Sequence, residues 1–382
     1  MGLGCLKMVI NQNIKLNIDE KYFSSVLSDD EIKFLEDTEF VKELKTEINS
    51  IESCLNKIPN FTDIVLIGFG GSSLGTKAIY DSLKNLYELK KIIFIDNLDD
   101  EIFYQSIAEI DKNKALFLFV SKSGNTYEVI SLLNHMLKEG FKKDRFHFIT
   151  QPIPSQLEKF GIKNNIAITN VNENLGGRYS VLSISTFLPL ELIGCDWYKI
   201  KESALNFYNS EKENSFKICS SLINFYMNNY QNGKNISCFM PYTSRLSSFS
   251  EWIMQLFGES LGKKNLGGYP VALTPINYLG PKDQHSQLQL VLDGPPDKTM
   301  TFFRVNKNEG LNKYSNIEQR ATAQALNEVN VPYIEIELDE LDESSLGIIF
   351  IIYEIVVSVI GLKLGVNPFD QPAVELIKKK IK

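Results

Sequence analysis

Two rhythms of apolar and polar positions run along the chain. From Asp63 onward, short unbroken apolar runs are each followed by stretches whose apolar residues recur every three or four positions. The run Leu116–Val120 is the clearest: five apolar residues with no polar alternation suit a strand buried on both faces of a parallel sheet. After it, Val129, Ile130, Leu132, Leu133, Met136 and Leu137 recur at helical spacing. Similar strands are predicted over 64–69, 91–96, 145–150 and 166–170, with helices between them. After Trp197 two mainly helical segments reach about Tyr230, and a second alternating set begins. Its strands are predicted at Ile236–Pro241, 269–275, 299–305 and Tyr333–Leu338. Its helices are predicted at 245–261, 284–292, 317–329 and 345–362, and a final short helix follows Pro372. Such alternation predicts an α/β protein with two doubly wound parallel sheets joined by right-handed crossovers. The expected domains are 1–198, with a polar, helical N-terminal stretch over 11–60, and 199–382, ending in a C-terminal helix.

Two of the predicted strand-to-helix turns carry chemistry. Ser121-Lys122-Ser123-Gly124-Asn125-Thr126 joins the focal strand to its helix. Free backbone N–H groups and the positive end of the helix dipole meet there, three hydroxyls add donors and Lys122 adds charge. The turn fits a phosphate on a small molecule. It also fits an ordinary capped turn, since Ser, Thr and Asn are good N-caps. The second turn, Gly68-Phe-Gly70-Gly71-Ser72-Ser73-Leu-Gly75, invites a dinucleotide reading with Asp96 as ribose partner. Ser73 in the third glycine position spoils that match, and close backbone approach to a sugar or phosphate explains the glycines as well.

Further along, Gly176-Gly177-Arg178-Tyr179-Ser180 places a guanidinium beside two glycines, either as a surface arginine or as a cation brought close to a developing anion. Gln255 and Glu259 stand four apart and share a helix face, flanked by Trp252, Ile253, Leu256 and Phe257. Glu259 reads either as a base beside an apolar stripe or as a solvated glutamate. His285 follows the loop 280–284 and is an acid/base candidate. His135 and His147 read as packing residues.

Composition narrows the classes. A net charge of -7 gives nucleic acid or an anionic membrane no electrostatic support. The five cysteines are scattered without a CxxC, which suits reduced thiols in a cytoplasm, and the three histidines form no ligand-type pair, so no metal is expected. The very apolar stretch 346–362 contains Glu354 and is expected as a buried helix, not a membrane span.

In their joint order these stretches carry a resemblance. The runs 68–75, 121–126 and 176–180, then 255–263, Asp283-Gln284-His285-Ser286 and 368–376, resemble the glucose-6-phosphate isomerase family over nearly the whole chain from about 60 to 380. The resemblance implies two sugar-isomerase (SIS-type) domains, a homodimer with a shared active site, a small sugar phosphate as substrate and no cofactor. It implies that Ser121, Ser123 and Thr126, with Ser72 nearby, hold the phosphate, while Lys122 and Gly71 line the sugar. Arg178 would stabilise an enediolate, Glu259 would move the proton between C1 and C2, and Gln255 would support the sugar. His285 would help open the ring, with Lys378 as its partner group; Lys379 and Lys380 stand beside it. The phosphate loop departs from many relatives in having Gly124-Asn125 where they have a bulkier pair. An isomerase that also accepts mannose 6-phosphate is a neighbouring reading. A sugar-phosphate sensor is a reading from another class, but a sensor has no use for Glu259, Arg178 and His285 together.

Overall fold

A computed structural model describes residues 5–23, 26–48, 51–86, 88–209, 212–307 and 309–381; the side chains of residues 5, 212, 213 and 378 are outside the description. The chain forms two compact units, one of residues 39–201 and one of residues 1–38 with 202–382.

The strands, in chain order, are β1 (Cys5–Asn11), β2 (Ile14–Asp19), β3 (Ile64–Ile67), β4 (Ile92–Ile95), β5 (Leu116–Val120), β6 (Phe146–Thr150) and β7 (Ala167–Asn170). They continue with β8 (Ile236–Pro241), β9 (Lys263–Lys264), β10 (Pro270–Val271), β11 (Thr274–Asn277), β12 (Lys298–Val305) and β13 (Tyr333–Leu338).

In the unit 39–201 five parallel strands lie in the order β4-β3-β5-β6-β7. Every residue of β3, β5 and β6 is buried, as unbroken apolar runs require when helices cover both faces. The aromatic core is continuous along the sheet: Phe119 meets Phe146 at 5.0 Å and Phe148 at 5.5 Å between ring centroids. The chain winds one way from β3 to β4 and the other way from β5 onward. The topological switch point, where open α/β sheets leave a crevice, therefore lies outside the carboxyl ends of β3 and β5. Both chemistry-bearing turns start at those two ends.

The other unit has a six-stranded sheet, β1-β2-β13-β12-β8-β11. β11, β8, β12 and β13 are parallel, and β2 adds to β13 antiparallel. This corrects the helical reading of the first part of 11–60. Ile14, Leu16 and Ile18 are buried while Lys15, Asn17 and Asp19 are not, a period of two that only a strand can satisfy. The hairpin β1–β2 closes the edge of the C-terminal sheet, so residues 1–38 join the unit of 202–382 instead of extending the unit before it. Helices do follow at Asp29–Glu36, Glu39–Lys45 and Ile51–Leu55. The predicted strand at 269–275 proves to be two pieces, β10 and β11, and the predicted helix at 284–292 splits into a 3-10 turn, Lys282–His285, and a helix, Leu288–Asp293.

The helix Glu343–Leu364 is long and apolar enough to cross a membrane, but 94% of its most apolar window is buried inside the protein. Glu354 sits in its middle, 1% exposed, with Oε1 lacking a hydrogen-bond partner among the described residues. Burial raises its carboxyl well above the ordinary range. The folded chain therefore holds a proton that the unfolded chain releases, and stability falls as pH rises above the ordinary glutamate value of 4.5. Glu354→Met should raise the unfolding free energy by about 1–3 kcal/mol at neutral pH. Its advantage over the parent should grow as pH rises above about 4.5, followed by denaturant unfolding. A gap that does not change with pH would contradict this account.

Candidate active site

Each unit carries a set of the expected residues. In the unit 39–201, β5 ends in Ser121, 1% exposed, whose Oγ lies 2.7 Å from Thr126 Oγ1 across the turn. Thr126 is the N-cap of the helix Tyr127–Lys138, but its side chain makes no capping bond to that helix. The hydroxyl that would quench a free N–H is turned to Ser121 instead and leaves the N–H groups of the first turn uncapped by it. Gly124 has φ +62°, and a Cβ there would lie 2.1 Å from Ser155 Oγ, so only glycine fits this loop. Asn125 fixes the loop tip: its N–H donates to Ser123 Oγ at 3.2 Å, and its Oδ1 accepts from the Gln156 N–H at 3.0 Å. Burial lowers the Lys122 ammonium below its usual range, with Glu173 pulling the other way.

From β3 the chain enters the turn Gly70–Ser72, with Gly70 at φ +56°. A Cβ on Gly71 would stand 2.2 Å from the Gly177 carbonyl carbon and 2.6 Å from the Arg178 nitrogen. The first glycine turn and the arginine loop, far apart in sequence, are thus pressed backbone to backbone. Arg178 is 2% exposed, its guanidinium 5.6 Å from the Tyr179 ring, and Tyr179 stacks on Phe40. Ser180 Oγ donates to the Gly177 carbonyl at 2.7 Å and holds the loop closed. Ser72, Lys122, Gly177, Ser180, Ser183 and Ser185 all line one cleft. The last two serines were not singled out from sequence. Their signal was present as a second run of hydroxyls, Ser180, Ser183 and Ser185, directly after the arginine motif.

In the other unit, Gln255 and Glu259 lie on the helix Ser247–Leu261, and Gln255 Nε2 donates to Glu259 Oε1 at 3.0 Å. Trp252, Ile253, Leu256 and Phe257 are buried, so this pair stands on the edge of a fixed helix. Gln255 Oε1 is buried without a partner among the described residues. Lys263 anchors the chain just beyond, its Nζ donating to the Asp370 backbone oxygen at 2.6 Å and Oδ1 at 2.7 Å. His285 closes the 3-10 turn after β11 and is exposed. Its neighbours hold it. Asp283 accepts from the Leu279 N–H at 2.7 Å and from Ser286 Oγ at 2.8 Å, and Gln284 donates to Tyr242 Oη and Thr322 Oγ1. Lys378 ends the helix Val374–Lys378, and its side chain lies outside the described residues.

The structure does not bring His285 and Glu259 together within the chain. The helix Ser247–Leu261 starts beyond the carboxyl end of β8 and runs back for 15 residues, roughly 22 Å. Glu259, in its last turn, therefore lies toward the amino ends of the strands, while His285 lies past the carboxyl end of β11. The other two histidines are packing groups, as expected. His147 is 1% exposed, bonded to Thr169 at 2.8 Å and pushed down to about 4 by burial; His135 meets the Tyr104 hydroxyl at 3.0 Å and packs on Phe103.

Comparison with known proteins converges on one family. Residues 25–296 match the family model described as phosphoglucose isomerase. The chain is 36% identical to the probable glucose-6-phosphate isomerase of Methanococcus maripaludis, over 84% of this chain and 78% of that protein. It is 33% identical to the glucose-6-phosphate isomerase of Campylobacter jejuni, over 93% of this chain and 88% of that one. Among solved structures, a hypothetical protein from Thermus thermophilus superposes with a TM-score of 0.76 at 28% identity, over 92% of this chain and 88% of that chain. With parallel strands at the core of each sheet and its ordered glycine, serine and arginine turns, the chain belongs to the glucose-6-phosphate isomerase family.

Proposed function

We propose that the chain interconverts glucose 6-phosphate and fructose 6-phosphate by proton transfer through a cis-enediolate, without a metal ion. One observation carries the reading of the site: the Gly70–Ser72 turn is packed onto the Gly177–Arg178 backbone, at the sheet's switch point, beside a hydroxyl-rich helix N-terminus. The phosphate dianion suits the Ser121, Ser123 and Thr126 hydroxyls and the free N–H groups of that helix, with Ser72 adjacent and Lys122 and Gly71 lining the sugar. Glu259 takes the proton from C2 and returns it to C1. Gln255 orients that carboxylate through its 3.0 Å bond. Negative charge that develops on the enediolate oxygen is met by the Arg178 guanidinium, so no Lewis acid is needed. Purified protein given fructose 6-phosphate in chelator-containing buffer should produce glucose 6-phosphate. Absence of product would refute the reaction, and activity that returns only with a divalent ion would refute its metal independence.

Ring opening falls to His285, with Lys378 as its partner group. Histidine both gives and accepts protons near neutral pH. Its position past the carboxyl end of β11, with Glu259 toward the amino end of the same sheet, supports a homodimer in which each site takes His285 from the partner chain. Replacing His285 with Gln should slow a cyclic hexose phosphate about 10²-fold, and an acyclic or shorter aldose phosphate far less. Equal losses on both would move His285 into the proton transfer itself. The four described free cysteines, all buried, accord with reduced thiols and a cytoplasmic enzyme.

A further inference from the structure

A second cavity, of about 560 Å³, opens on the C-terminal sheet and has no part in this chemistry. The helix Gly310–Glu328 covers Met300 and Phe302 of β12 with Ala323 and Leu326. Farther along the same face the sheet turns polar. Arg304, Glu335 and Glu337, Asn17 and Asp19, and Lys7 replace the apolar residues a covering helix would bury. The helix carrying Glu259 packs on the opposite face, its Phe249 and Phe257 against Phe303 and Phe239.

The acidic groups of the cavity are already satisfied by its own walls. Glu337 accepts from Asn17 at 2.7 Å and Lys7 at 3.1 Å and pairs with Arg304. Burial raises its carboxyl, but Arg304, Lys7 and Asn17 outweigh burial and leave it below the usual range. Glu335 accepts from Gln319 at 2.8 Å and Asn17 at 3.2 Å, and Asp19 pairs with Lys21 at 2.9 Å. Donors remain. Arg304 is 5% exposed and its Nε–H has no acceptor among the described residues. Arg320 lines the wall without an ion pair among them, beside the amides of Gln324, Asn327 and Asn330. A buried N–H without an acceptor is costly and is relieved by a bound one. The volume lies in the range of small-molecule sites.

We infer that this cavity binds a small anionic, hydroxyl-rich metabolite, its carboxylate or phosphate held at the Arg304–Arg320 end and its hydroxyls on the amides. The test is calorimetric titration of gluconate and, separately, of inorganic phosphate into the parent protein, Arg320→Glu and Gln324→Trp. Competitive inhibition of isomerisation by each probe accounts for the active site in parallel. Both substituted positions are exposed, so unfolding midpoints, turnover and inhibition constants should stay at parent values. The expected result is a binding event in the parent beyond the inhibitory one, weakened about tenfold or more by Arg320→Glu and blocked by Gln324→Trp. A response to gluconate alone identifies a carboxylate ligand, and a response to phosphate alone a phosphate ester. Parent-like binding in both variants, or no event beyond the inhibitory one with either probe, would overturn the inference.

Discussion

Glu259→Gln is expected to lower isomerisation by about 10²–10⁴-fold while the protein still binds sugar phosphates. The substitution removes only the basicity. The helix edge that carries the residue is fixed by buried Trp252, Ile253, Leu256 and Phe257. The bond from Gln255 Nε2, 3.0 Å in the parent, survives because an amide oxygen accepts as a carboxylate oxygen does. Binding should persist because the groups proposed to hold the phosphate, Ser121, Ser123 and Thr126, belong to a separate turn after β5. The informative measurement is exchange of the C2 hydrogen of glucose 6-phosphate, or of a C1 hydrogen of fructose 6-phosphate, with deuterated solvent, read beside the inhibition constant of a sugar phosphate that cannot isomerise. Loss of exchange with an unchanged constant assigns proton transfer to Glu259. Exchange at the parent rate would assign it to another group, and parallel loss of both would make the residue structural.

How far the sequence carried the fold depended on the range of the contacts involved. β3 and β5 were legible because a strand buried on both faces writes an unbroken apolar run into the chain. The hairpin β1–β2 was not, although Ile14, Leu16 and Ile18 alternate in plain view. Three alternations between lysines and asparagines, leading into polar helices, look like part of those helices until β13 supplies the partner: Leu16 opposite Ile336, Ile14 opposite Leu338. Which strand they pair with is not encoded locally at that sequence separation. The site behaves similarly. Ser121 and Thr126 lie in one hexapeptide, so their hydrogen bond follows from a tight turn. That Glu259 and His285 lie toward opposite ends of one sheet depends on the direction in which a helix returns, which spacing along the chain does not encode.

Gly71→Ala tests a relation that neither motif shows alone. The added methyl would be 2.2 Å from the Gly177 carbonyl carbon, 2.4 Å from its oxygen and 2.6 Å from the Arg178 nitrogen. These are backbone atoms and cannot rotate aside, so the Gly177–Arg178 loop must shift bodily. Overpacking of this kind costs about 1–3 kcal/mol of stability. The larger effect falls on turnover. If Arg178 stabilises the enediolate, a displacement of about 1 Å costs on the order of 10²-fold in rate. The Ser121–Thr126 turn is braced by its own bonds to Asn125 and Gln156, so phosphate affinity should fall much less than turnover. Gly177→Ala is the matched control. Its Cβ would meet Gly71 Cα at 3.6 Å, an ordinary contact, although it changes the same loop. Turnover numbers and inhibition constants for both variants, taken where both are folded, separate the accounts. A steep loss of turnover in Gly71→Ala with a mild effect in Gly177→Ala means that the close approach of the two turns sets the position of Arg178. Equal and mild effects would mean that the loop yields without cost to the chemistry, and that Arg178 does not stabilise the transition state.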